Sequence, residues 1–156
     1  MSDTAGDHPG VLVFPPLLFG LCLAGGTVAH VVCPYRLPLE PWARGGGLAA
    51  GLAAVLFAIW GERTMKAAGT NVRPNLPALA IVSNGPFAFT RNPLYLAVVT
   101  LFAGIGIALA SPAFLAVLPP LVLVLHFGVV LREERYLEAK FGDTYRGYKA
   151  RVRRWI

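Results

Sequence analysis

Residues 91–132 read RNPLYLAVVTLFAGIGIALASPAFLAVLPPLVLVLHFGVVLR, a run that no soluble domain accommodates. Positions 92–131, 40 in succession, carry no Asp, Glu, Lys or Arg. A helix crosses the hydrocarbon core of a bilayer with about 20 apolar residues, so the run holds two spans. Ser111-Pro112 divides them, because proline suits the first turn of a helix and disrupts its interior. The predicted spans are 93–110 and 112–131, joined so closely that they form an antiparallel hairpin. Asn92 is placed to cap the first, with Pro93 as its first helical residue. Pro119-Pro120 frees backbone carbonyls and is expected to kink the second. Gly104 and Gly106, small residues inside a span, are expected to serve helix packing.

Two further uncharged runs lie upstream. His8 and Arg36 bracket 27 positions, and Arg44 and Glu62 bracket 17. They predict spans over 11–33 and 46–60, the second short and rich in Gly and Ala, which permit close helix approach. Trp42 and Trp60 bracket it as interfacial anchors. The composition agrees, with 56% hydrophobic and only 14% charged residues, where a soluble domain has roughly a quarter charged. Asp3 and Asp7 stand where a cleavable signal would carry Lys or Arg, so the first span is expected to be retained. Cys22 and Cys33 are 11 residues apart on one predicted helix, too far to pair, and fit no metal-ligand spacing. The expected fold is an all-α integral membrane protein of one domain, residues 1–156. No strand-borne GxGxxG, P-loop or HExxH is present, and a soluble nucleotide-binding fold is excluded.

Charge orients the chain. Of 14 Lys and Arg, 12 fall in two segments: Arg63, Lys66, Arg73 and Arg91 before the third span, and eight from Arg132 to Arg154 after the fourth. Arg36 and Arg44 alone lie between spans one and two. The positive-inside rule then puts both termini in the cytoplasm, in the inner membrane of a bacterium. Anionic lipid headgroups suffice as partners for this surplus, and no nucleic acid is needed. The connection 62–92 is too polar to span, yet its LPALAIV (residues 76–82) is too apolar to float free, so it is expected to lie along the interface. The tail, 132–156, places Leu137, Phe141, Tyr145, Tyr148, Val152 and Trp155 at helical steps, which predicts an amphipathic cytoplasmic helix. Gly142-Asp143 marks a break and restart, with Asp143 as the cap.

Chemistry-bearing residues gather at one membrane level. Glu133 and Glu134 follow the long uncharged run at once. His126 lies seven and eight residues before them, two helical turns along one face. In an antiparallel hairpin Arg91, Asn92 and Tyr95 come to the same level. Charges of both signs at one interface point to a zwitterionic ligand. A solvated helix end for the two acids, and an interhelical hydrogen bond for the histidine, are the plainer alternatives.

Four motifs in order carry a resemblance: Gly85-Pro86-Phe87, Arg91-Asn92-Pro93-Leu94-Tyr95, Glu133-Glu134-Arg135-Tyr136-Leu137, and Phe141 to Tyr148. Over residues 66 to 154 the chain resembles the isoprenylcysteine carboxyl methyltransferase and phospholipid methyltransferase group, small integral-membrane enzymes. Asn92, where the carboxyl methyltransferases usually have His, is more like the phospholipid branch. The resemblance implies S-adenosyl-L-methionine as cofactor and a lipid or lipophilic small molecule as acceptor. It implies cofactor contacts at Gly85, Pro86, Arg91, Asn92, Pro93, Tyr95, Leu96, His126, Glu133, Glu134, Tyr145 and Tyr148, with Arg91 and Glu134 at the chemistry and no metal. Membrane sterol reductases, which use NADPH, are related in their C-terminal half, but their Asp-Glu-Arg-x-Cys pattern is not matched by EERYL. A non-enzymatic scaffold or transport subunit would need another reason for these polar residues at one level.

Overall fold

A computed structural model describes residues 8–156. Asp3 and Asp7 lie outside the described residues. Among those described, the architecture is helical: α1 (Pro15–Val32), α2 (Pro41–Ala67), a 3-10 turn (Gly85–Ala88), α3 (Pro93–Ala108), α4 (Pro112–Leu125), a π turn (His126–Val130), α5 (Leu131–Phe141) and α6 (Asp143–Arg151). Among the described residues, three helices are long and apolar enough to cross a membrane: Pro15–Val32, Pro41–Ala67, and the continuous Pro112–Phe141. The apolar α3 is shorter, 16 residues, or roughly 24 Å.

Prolines set the helix starts. Pro15, Pro41, Pro93 and Pro112 each occupy the first turn, where a missing N–H costs nothing. Several expected boundaries move. The second apolar helix is not confined to 46–60 but runs from Pro41 to Ala67, so the connection begins after Ala67 rather than at 62. Lys66 pairs with Glu62 one turn back, and Gly69 ends the helix at φ +70°. Trp42 and Trp60 therefore lie within the helix, both exposed. The last apolar helix does not stop at 131 either; it passes Arg132 and reaches Phe141. The helix is unbroken at Pro119-Pro120, whose nitrogens donate no hydrogen bond, and a π turn follows at His126–Val130. Leu131 N–H bonds to His126 O there, and Gly128 O accepts from Leu12 N at 3.0 Å.

Helix α2 packs along α3 through glycines. A Cβ on Gly104 would come within 2.7 Å of Gly47 O and 2.8 Å of Gly51 N, and one on Gly106 within 2.6 Å of Leu115. Both glycines serve packing, as their place inside a span predicts. The α3–α4 turn is tight, with Ala110 at φ 49° and Ser111 fully buried. Arg36 and Arg44 donate to Leu109 O and Ala108 O, covering carbonyls that the end of α3 leaves without helical partners. His30 Nδ1 lies 2.8 Å from Ser111 Oγ, a polar tie from α1 to the same turn. Phe102, Phe114, Leu121, Leu125 and Val129 form the core between α1, α3 and α4.

The tail folds back. Gly142 at φ 51° breaks α5 from α6, as its sequence predicts. Asp143 is the first residue of α6 rather than its cap, and its carboxylate pairs with Arg146 at 2.6 Å. Tyr145 and Tyr148 are buried against Val82 and Phe87, with Leu137, Phe141 and Val152 packed around them.

Candidate functional site

The turn before α3 is held by the tail. Arg91 N donates to Arg153 O at 2.9 Å, Thr90 Oγ1 to Arg154 O at 3.1 Å, and the Asn92 amide to Arg154 O at 2.9 Å. Asn92 occupies the cap position of α3, but its side chain makes no capping bond. The open carbonyl of the tail takes the amide instead, which corrects the expected role.

This arrangement buries Arg91 beside Glu134. Their side chains are 8% and 7% exposed, with Arg91 Nη1 3.2 Å from Glu134 Oε1. Arg154 grips the same carboxylate with two bonds, Nε to Oε1 at 2.8 Å and Nη2 to Oε2 at 2.9 Å. Such a fork matches the planar carboxylate and fixes its plane. Arg91 Nη1 also lies 3.4 Å from the Tyr145 hydroxyl, while its Nε is buried with no protein partner. Next along the helix, Glu133 accepts a 2.6 Å bond from Tyr95 Oη. Tyr148 donates to Phe87 O at 2.8 Å.

These groups line one wall of a cavity of about 130 Å³. Arg91, Asn92, Pro93, Tyr95, Glu133, Glu134, Tyr145 and Tyr148 all contribute, so the structure brings eight of the twelve expected residues around one space. The opposite wall is the connection between α2 and the 3-10 turn, including Thr70, Asn71, Arg73 and Ile81. Its course is fixed by side chains: Thr70 Oγ1 accepts from Leu79 N at 2.9 Å, Asn71 donates to Pro77 O at 2.8 Å, and Tyr136 Oη accepts from Ala78 N at 3.1 Å. Burial pushes the Tyr145 phenol up to about 12, with the Glu134 carboxylate adding to the shift and Arg91 opposing it. Burial likewise raises Tyr148. Both hydroxyls are neutral donors at physiological pH.

Four expected residues stand away from that wall. Gly85 and Pro86 open the 3-10 turn that seats Phe87; Gly85 adopts φ +56°, and a Cβ there would meet Thr64 Oγ1 at 2.9 Å. Leu96 lies one residue beyond Tyr95, and its N–H bonds to Asn92 O. His126 is absent from the cavity lining. The extra residue of the π turn rotates the helix register by about 100°, and the ring stacks at 28° on Trp155, whose Nε1 lies 3.4 Å from Nδ1.

Arg154, Thr70, Asn71 and Arg73 were not among the expected residues. Arg154 stands among four arginines within nine residues, where sequence alone gives no reason to prefer one. The remaining three lie in a connection without periodicity, which singles out none of its residues.

A family model described as phospholipid methyltransferase matches residues 42–144, more than half of the chain. The match ends just before Tyr145. A 35-residue stretch, 22% of this chain, is 57% identical to an uncharacterized protein of Haemophilus influenzae, and it spans 56% of that protein's length.

Proposed function

This chain belongs to the phospholipid methyltransferase family, and on that premise we propose that it methylates a lipid or lipophilic acceptor using S-adenosyl-L-methionine. The family match supports a membrane methyltransferase; the activity, the cofactor, the acceptor and the cytoplasmic setting are our reading. In that reading α3 is a fourth span, both termini face the cytoplasm, and the cavity opens where a water-soluble cofactor can meet an apolar acceptor.

The observation that carries the proposal is Arg91. A guanidinium this deeply buried, lining a cavity and keeping one N–H without a protein partner, is poised for an anionic ligand group. The donor set fits a zwitterionic amino acid end. Arg91 Nε would donate to its carboxylate. Glu133 would accept from its amino group, with Tyr95 keeping that carboxylate in place. Tyr145 and Tyr148 present aromatic faces suited to a sulfonium or an adenine. When bound, S-adenosylmethionine supplies a methyl group on a positively charged sulfur, which an acceptor lone pair displaces in line. The protein's share is alignment and exclusion of water, by Phe87, Val82 and Ile81 around the polar groups. Gly85, Pro86, Leu96 and His126 would support the site from behind rather than line it.

Calorimetric titration of the purified protein with S-adenosylhomocysteine, and in parallel with NADPH, tests the proposal. One site for the first ligand and none for the second is expected. NADPH binding alone would transfer the chain to reductase chemistry, and silence from both would make it a non-enzymatic membrane component.

A further inference from the structure

Arg154 lies in the tail, beyond the matched family region, and is absent from the cavity lining. Yet it holds both oxygens of Glu134, at 2.8 and 2.9 Å, while Arg91 touches only one, at 3.2 Å. Two guanidiniums thus share one carboxylate, and the one outside the cavity has the better geometry. The charge balance follows. With Arg154 in place the trio of two guanidiniums and one carboxylate keeps one net positive charge, and Arg91 is the guanidinium that lines the cavity. Without it, Glu134 and Arg91 neutralise each other, and the wall that carries them loses its net positive charge, leaving Arg73 across the cavity.

We propose that Arg154 is a positioning residue for ligand binding: by clamping Glu134 from behind, it leaves Arg91 free to hold an anionic group in the cavity. This rests on the cofactor reading above. Arg154 itself touches no ligand.

The surroundings make the role testable, because the backbone of this segment is anchored independently of the Arg154 side chain. The carbonyl of Arg154 takes Thr90 and Asn92, the carbonyl of Arg153 takes Arg91 N, and Trp155 stacks on His126. Changing the Arg154 side chain leaves all four contacts.

The experiment is calorimetric titration with S-adenosylhomocysteine, beside ligand-free melting, of wild type, Arg154→Gln, Arg154→Lys, Glu134→Gln and the double variant Arg154→Gln/Glu134→Gln. Loss of a charged contact is expected to weaken binding roughly 10-fold or more in Arg154→Gln. Arg154→Lys should lie between, since lysine restores charge but not the fork, and it serves the comparison if the glutamine variant does not fold. In the Glu134→Gln background Arg154 has no carboxylate to hold, so its removal should change affinity less than 2-fold beyond Glu134→Gln alone. Equal loss in both backgrounds would mean that Arg154 acts without Glu134, and overturns the proposal. So would wild-type affinity in Arg154→Gln. Absence of binding to the wild type would overturn the cofactor reading, and this inference with it.

Discussion

Tyr95 Oη donates a 2.6 Å hydrogen bond to Glu133 Oε1, joining the first turn of α3 to the helix that returns from its far end. The bond spans 38 residues of sequence. It fixes the level at which the hairpin closes, and so the level at which Arg91 meets Glu134. Tyr95→Phe keeps the ring and removes only the hydroxyl. A hydrogen bond contributes about 0.5–1.5 kcal/mol net, so the variant is expected to melt at a lower temperature in detergent. Unchanged melting would show that the bond contributes nothing to closing the hairpin.

Tyr145 predicts how stability responds to alkali. Its phenol is raised from 10.0 to about 12 in the folded chain, by burial first and then by Glu134. An acid that holds its proton more tightly when folded contributes stability that is fully present below the unfolded value. That contribution declines as pH rises from 10 towards 12. Tyr145→Phe should therefore show a shallower loss of melting temperature over that interval than wild type. Parallel declines in the two proteins would remove Tyr145 as the cause.

Topology gives a third prediction. Arg36 and Arg44 are both engaged at the end of α3, on Leu109 O and Ala108 O. The other basic residues lie in the segments that flank the cavity or in the tail. Reporter fusions after residues 75 and 156 should read cytoplasmic, and one after residue 40 should read the opposite side. An external signal at 75 would separate the cavity from a cytosolic cofactor.

The hairpin was legible from residues 91–132 because absence of charge and proline placement act locally. Pro93 and Pro112 start helices where the sequence puts them. Leu137, Phe141, Tyr145, Tyr148 and Val152 of the predicted stripe gather in one cluster, although two helices and the segment after them supply them, while Trp155 stacks on His126 instead. What was not legible had both local and distant causes. Charge count ends the second span at Trp60, while the helix itself runs on to Ala67, with Glu62 and Lys66 paired one turn apart. The register between His126 and the two acids was counted in α-helical turns, and the π turn that intervenes shows no signature in HFGVV. Arg154 was invisible because its partner is 20 residues away, across a helix break.

Arg91 offers the sharpest separation of ligand binding from structure. Lysine can keep the ion pair with Glu134, for a point charge at that distance needs no particular plane. It cannot reproduce the second N–H that Nε leaves unpaired. Two quantities should therefore diverge in Arg91→Lys. Ligand-free melting should shift little, because the buried carboxylate retains a cation and the fork from Arg154. Affinity for S-adenosylhomocysteine should fall roughly 10-fold or more, the loss of a charged hydrogen bond. Ligand at about 100 times its dissociation constant stabilises a protein by roughly 2.7 kcal/mol, and a tenfold weaker variant at the same concentration keeps about half of that. Melting with and without ligand reads both effects in one assay. If Arg91→Lys keeps the full ligand-induced shift, Arg91 serves only to neutralise Glu134, and the carboxylate of the ligand must be held elsewhere.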